Sequence, residues 1–262
     1  MVVALDSQEV LVAAVADGAG SAALSQEGAS LAVRLFLEEF GTAAAMRSNL
    51  QELDLPFVQD WVVRLKAEIA EMAEAGRTPR DYACTFLGAV VGPDHAVYVQ
   101  IGDGAIVASG PKPSVCDWVF WPQHGEFANQ TNFVTMDQVL DVLEFTSVPG
   151  RIEELALFSD GLERLVLNLA AETVHLPALA PIFGWLVGTQ PGAGGEMSDA
   201  LVAYLSSNHV NGRTDDDKTL VMATRADPAR MAAAPMKDVS GSPTLGEENG
   251  LSTIRDAAPT DG

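Results

Sequence analysis

Three short stretches place carboxylates at the ends of apolar, strand-like runs: VAAVADGAGSA at residues 12–22, LALFSDGLERL at 155–165 and TDDDKTLVMA at 214–223. In the first two, Asp17 and Asp160 each follow an apolar run and are each followed by glycine; in the third, Asp215, Asp216 and Asp217 precede one. A single Asp-Gly pair is ordinarily a turn. Two copies after matching runs, with an acid run before a third, point further. If the three strands are central neighbours, their ends meet at one edge of the molecule, although more than a hundred residues separate Asp17 from Asp160. Like charges gathered in that way repel and raise one another's pKa unless cations lie between them. Hard divalent ions such as Mg²⁺ or Mn²⁺ take carboxylate, carbonyl and water oxygens, and the sequence offers no His or Cys cluster for a softer metal. Gly18, lacking a side chain, lets its own carbonyl turn toward an ion, and Gly20 with Ser21 leaves room for substrate.

Positioning such acids takes strands held by helices. Residues 24–40 put Leu24, Gly28, Leu31, Ala32, Leu35 and Phe36 on one helical face and Glu27, Arg34 and Glu38 on another. Residues 56–75 start at Pro56 and repeat Val58, Val62, Leu65, Ile69 and Met72 at spacings of four and three, with Glu68, Glu71 and Glu74 as the wet face. Seven strand-like runs follow without intervening helices: ACTFLGAVVG, HAVYVQIG, AIVASG, SVCDWVFW, NFVTM, VLEFTSV and IEELALFS. Consecutive short strands of this kind pair antiparallel. Helices return at 178–188 and 195–207, and KTLVMAT closes the series. The expected fold class is α+β: a four-layer αββα sandwich of two antiparallel β-sheets flanked by helices. No internal repeat is present. From residue 226 the chain has no aromatic residue and is rich in Ala, Pro, Gly, Ser and Asp, which predicts a domain over 1–225 and a disordered tail over 226–262.

Composition narrows the partners. A net charge of −21 over 262 residues argues against nucleic acid or an anionic membrane and suits a protein that holds dications. Two cysteines, Cys84 and Cys116, are too few for a disulfide scaffold or zinc cage and read as core thiols in a reducing compartment. No run reaches the roughly 18 apolar residues of a membrane span, and no signal-peptide pattern opens the chain, so a cytoplasmic location is expected. DGAGSA lacks the Lys of a Walker loop and the G-x-G-x-x-G spacing of a dinucleotide cradle.

Taken in order, VADGAGSA…SQEGA, ACTFLGAVV, VQIGDGAIV, LFSDGL and DDDKTLVM resemble the PPM-type metal-dependent serine/threonine phosphatases, the protein phosphatase 2C family, and in particular its bacterial branch. The resemblance covers about residues 10–224. It implies a β-sandwich flanked by helices with a binuclear Mn²⁺/Mg²⁺ centre at one end. By the same resemblance Asp17 bridges both metals, Gly18 adds its carbonyl to one, and Asp160 and Asp216 complete the other's shell. Asp217 stands where many members carry Asn, and Asp103 in GDG matches a motif that mostly shapes the fold, so it is assigned no ligand role. The implied substrate is a phosphoserine or phosphothreonine of a protein, with a serine/threonine kinase as counterpart in bacterial signalling.

The chemistry agrees. Two metals roughly 4 Å apart lower the pKa of a shared water and clamp phosphoryl oxygens for in-line attack, so no protein nucleophile is required. Cys84 lies in an apolar run with no Cys-x₅-Arg loop, and GxSxG does not occur. One departure stands out: family members usually carry, before the first Asp-Gly, a strand bearing an acid for the second metal and often a phosphate-gripping Arg. Here only MVVALDSQEVL precedes it, with Asp6 and Glu9 as its acids and no Arg. That departure supports an alternative, a catalytically impaired phosphatase-like module that acts by binding a kinase or another protein. The segment WPQHGEFANQTNFVT at 121–135 resembles one typical of the bacterial branch, which implies part of a flap beside the site; from the residues alone, Trp121, Phe127 and Phe133 are expected in the core and His124 in a solvated loop.

Overall fold

Val12, Ala13 and Val15 are buried on a strand, β1 (Leu11–Val15), that pairs antiparallel with β2 (Phe86–Val91), Val15 lying opposite Leu87. The computed structural model describes residues 10–47, 49–73, 76–111, 116–123, 131–189 and 194–225. A tight turn links β2 to β3 (His95–Ile101), with the Gly92 N–H donating to the His95 carbonyl at 2.9 Å, and β6 (Glu144–Pro149) completes a sheet of order β1-β2-β3-β6. At Gly102–Gly104 the chain crosses to a second sheet, ordered β10-β7-β4-β5. Its strands are β4 (Ala105–Ser109), β5 (Cys116–Phe120), β7 (Glu154–Phe158) and β10 (Leu220–Thr224). Every pairing in both sheets is antiparallel.

Strand alternation sends side chains to two faces, which creates three layers of core. Ala13, Val15, Leu87, Ala89, Tyr98, Ile106, Leu155 and Leu157 meet between the sheets. Outside the first sheet, α1 (Ser25–Met46) and α2 (Leu55–Met72) bury Phe36, Phe40, Trp61 and Leu65 against Phe86, Val90 and Val97. Outside the second, α5 (Leu176–Val187) buries Leu179 and Phe183 against Ala156 and Phe158, and Leu205 of α6 (Gly194–Leu205) joins them. The four-layer αββα order is therefore observed. Cys84 and Cys116 are both buried free thiols. Among the described residues no helix is long and apolar enough to cross a membrane.

Several expectations differ in detail. NFVTM is not a strand: Val134 plugs the core, its N–H bonding the Cys84 carbonyl at 2.9 Å, while Met136 N–H turns back to the Phe133 carbonyl. The chain is anchored there by the consecutive buried pair Val134 and Thr135 rather than by strand pairing. The run at 142–148 is preceded by a helical turn, α3 (Val139–Val142), which shortens it at its start. The first helix continues six residues past Phe40 because Gly41 and Ala44 still face the core. Met72, expected on the buried stripe, ends α2 and is 38 % exposed. Pro177 sits in the first turn of α5, where a missing N–H costs nothing, so that helix begins two residues early. The short pieces α4 (Glu163–Val166), β8 (Leu167–Asn168), β9 (Thr173–Val174) and α7 (Asn208–Asn211) had no clear sequence signal. Trp121 packs against the core beneath α5 and edge-on to Trp118, with centroids 5.5 Å apart, whereas Phe133 is half-buried. Asp6, Glu9, Glu74, His124, Phe127 and the segment 226–262 lie outside the described residues.

Candidate metal centre

Asp17 stands two residues past β1, and its backbone is stitched to the chain entering β2. The Thr85 N–H donates to the Asp17 carbonyl at 2.8 Å, and the Asp17 N–H donates to Thr85 Oγ1 at 3.2 Å. The Ala19 N–H reaches the Ala83 carbonyl at 2.9 Å, so Gly18 and Cys84 form an antiparallel bridge. In a pair flanked by such bonds, the two residues' own amide and carbonyl groups face outward. The Gly18 carbonyl is thus turned away from β2 and left for another partner.

Asp160 opens a tight turn at the end of β7, and the Asp215–Asp217 loop lies beside it because β10 pairs with β7, Leu220 opposite Phe158. Ser159 locks the two together. Its N–H donates to the Thr219 carbonyl at 3.1 Å, and its hydroxyl accepts the Thr219 N–H at 3.1 Å and donates to the Asp217 carbonyl at 3.3 Å. The packing there is so close that a Cβ on Gly161 would fall 2.1 Å from the Asp217 carbonyl oxygen. Asp216 takes a hydrogen bond from the Asp217 N–H to its Oδ1 at 2.9 Å, and Lys218 Nζ donates to the Asp216 carbonyl at 3.0 Å. Asp103 occupies the turn where the chain passes from β3 to β4.

Two of these acids are raised by their surroundings. Asp17 is pushed up to about 6, first by burial and then by the charges of Asp216, Asp217 and Asp103, while a hydrogen bond from the Gly18 backbone opposes the rise. Asp160 is pushed up to about 7, again first by burial, then by Asp103, Asp216 and Asp17. The sequence-derived set Asp17, Asp160 and Asp216 is therefore gathered at one end of the sandwich, drawn from both sheets. Among the described residues none of Asp17, Asp103, Asp160 or Asp216 joins an ion pair with Lys, Arg or His. The acids do not close a cage: among the described residues no three His, Cys, Asp or Glu groups are set to grip one ion unaided. Mg²⁺ and its like keep several waters and take only one or two protein carboxylates each, so an open, all-oxygen cluster lacking a cationic side-chain partner fits them.

Asp103 is the residue that sequence reasoning set aside. It is the largest charged neighbour of Asp160. Its signal was present, since IGDGAIV repeats the acid-glycine punctuation at a strand end. Cys84, beside Asp17, is no nucleophile: burial and then the Asp17 charge push its thiol up to about 12.

Residues 2–206 match the family model described as protein phosphatase 2C. The chain is 37 % identical over 227 residues to Serine/threonine-protein phosphatase 3 of Escherichia coli (strain K12), covering 85 % of this chain and 87 % of that protein. Among solved structures it is similar to the serine/threonine phosphatase Stp1 from Staphylococcus aureus, with a TM-score of 0.55 at 13 % identity, covering 87 % of this chain and 88 % of that one. It is also similar to the catalytic domain of serine threonine protein phosphatase PstP in complex with two manganese ions, with a TM-score of 0.56 at 16 % identity, covering 87 % and 94 % of the two chains.

Proposed function

The chain belongs to the protein phosphatase 2C family, and from that premise we propose how it works: Asp17, the Gly18 carbonyl, Asp160 and Asp216 hold two Mn²⁺ or Mg²⁺ ions. The reaction is the metal-dependent hydrolysis of phosphoserine and phosphothreonine. The substrates are phosphoproteins that a serine/threonine kinase supplies in the cytoplasm. The catalytic domain comprises residues 1–225, and 226–262 take no part in the chemistry.

The observation that carries this reading is that acids from both sheets meet at one edge, where Asp216 and Asp103 each add their charge to the burial that raises Asp17 and Asp160. When bound, the ions supply a hydroxide at neutral pH and neutralise the phosphoryl oxygens. The chain does the rest. Thr85 fixes the Asp17 backbone, Ser159 ties Asp160 to the Asp216 loop, and the two sheets carry both halves of the site on a rigid frame. Asp17 and Asp160 must shed their protons to ligate, which their positions near 6 and 7 permit at neutral pH.

Hydrolysis of p-nitrophenyl phosphate and of a phosphothreonine peptide, with Mn²⁺, Mg²⁺ or EDTA, tests the proposal. Turnover is expected only with the ions, and Asp17→Asn is expected to lower kcat/KM by on the order of 10³–10⁴, about 4–5.5 kcal/mol of barrier. Full activity in Asp17→Asn would sink the assignment. A wild-type chain that binds Mn²⁺ yet hydrolyses neither compound would instead favour the binding-module reading.

A further inference from the structure

The turn that carries Asp103 is held from outside by two residues that the reaction described above does not use. Gly102 has a φ of +107°, and a Cβ there would lie 2.6 Å from Thr85 Cγ2, so this turn requires glycine and is intrinsically loose. Gln123, just past β5, supplies the missing restraint. Its N–H donates to the Gly102 carbonyl at 3.3 Å, and its Oε1 accepts the Gly102 N–H at 2.9 Å. The same Oε1 accepts Asn132 Nδ2 at 3.0 Å, and Nε2 donates to the Val142 carbonyl at 2.7 Å. One planar amide thereby ties the buried Gly102 to the end of α3 and to the chain at Asn132. The neighbouring Thr131 hydroxyl then donates directly to the Asp103 carboxylate. The acid is fixed at two points, its backbone through Gln123 and its head group through Thr131.

We propose that Gln123 and Thr131 are positioning residues of the metal centre, holding the Asp103 carboxylate beside Asp160 so that its charge acts on the bound cations. The inference rests on the reading of Asp160 as a ligand. Without the Thr131 hydroxyl, Asp103 is free to turn toward solvent, where screening removes most of its effect. Without Gln123, the Gly102 amide loses its partner and the whole turn relaxes. Neither residue touches the reacting atoms.

The test is Mn²⁺ binding to the full chain by calorimetry, which needs no turnover, alongside kcat and KM for p-nitrophenyl phosphate. Thr131→Val should weaken Mn²⁺ binding by roughly tenfold, as loss of a supporting hydrogen bond around a metal site typically does, and Thr131→Ser should restore it. Gln123→Met should weaken it in the same direction. The decisive comparison is a double-mutant cycle with Asp103→Asn. If Thr131 acts through Asp103, Thr131→Val has no further effect once Asp103 is neutral. Independent, additive losses in the double mutant, or wild-type Mn²⁺ affinity in Thr131→Val and Gln123→Met, would overturn the proposal. Should Thr131→Val not fold, the same cycle is run with Gln123→Met. A wild-type chain that takes up no Mn²⁺ overturns the metal assignment itself and the positioning role with it.

Discussion

The aromatic cluster that α1 and α2 form with Phe86 of β2 and the acidic edge at the strand ends lie side by side and obey opposite rules. Phe36, Phe40, Trp61 and Phe86 are fully buried, with ring centroids 3.9 Å apart for Phe36–Phe40, 5.4 Å for Phe36–Trp61 and 4.6 Å for Trp61–Phe86. Each ring buries its neighbours, so every added member makes the others more favourable. At the acidic edge the neighbours work against one another, because burial first and then the nearby carboxylates raise the cost of ionising Asp17 and Asp160. The two regions adjoin: Phe86 opens β2 within the aromatic cluster, and Thr85, one residue earlier, holds Asp17. The frustrated edge persists because the packed layer next to it fixes the backbone from which the acids project.

The largest effect expected from breaking this division is in the aromatic cluster. Trp61→Ala should cost about 3–4 kcal/mol in urea denaturation. Trp61→Phe should cost far less, since the indole N–H has no hydrogen-bond partner among the described residues. A comparable loss in both would mean that shape, rather than area, controls the layer. Next comes the seam between β7 and the Asp217 loop. Gly161→Ala drives a methyl into the Asp217 carbonyl and should cost about 1–3 kcal/mol, as overpacking does, while lowering turnover by spreading Asp160 from Asp216. Wild-type stability and kcat in that variant would refute the tight seam.

The smallest effect is the response of the edge to pH. Asp17 and Asp160 hold protons more tightly in the folded chain than at the ordinary value of 3.8, so folding takes up protons. Their contribution is full below that value and is lost as pH rises through about 6 and about 7. In EDTA the melting temperature should therefore fall between about pH 4 and about pH 7, by only a few degrees because both groups keep solvent contact. Mn²⁺ should remove the slope, and Asp17→Asn should reduce it. A melting temperature that rises over this interval in EDTA, for Asp17→Asn as much as for the wild type, would contradict the repulsion.

Much of this was legible from residue order. The helical stripes at Leu31–Phe36 and Val58–Ile69 announced their buried faces because a period of 3.6 is a local property, and Asp17, Asp160 and the run Asp215–Asp217 were marked by acids punctuating apolar runs, Asp216 being singled out by the family resemblance alone. NFVTM misled because its buried residues Val134 and Thr135 are consecutive and anchor a turn rather than a strand, and an anchor has no period to read. The nearness of Asp103 to Asp160 was not legible for a related reason: its motif says that the chain turns, not what the turn faces.

By itself the sequence determined the long helices and most of the sheet strands, their amphipathic faces and which acids stand at strand ends, since these follow from short-range periodicity and steric punctuation. Only the tertiary structure decided that β1, β7, β10 and the β3–β4 turn deliver those acids to one edge, that Gly161 must be bare, and that Gln123 and Thr131 reach Asp103. Those facts depend on strand order and on contacts between residues far apart in the chain, and no local pattern encodes either.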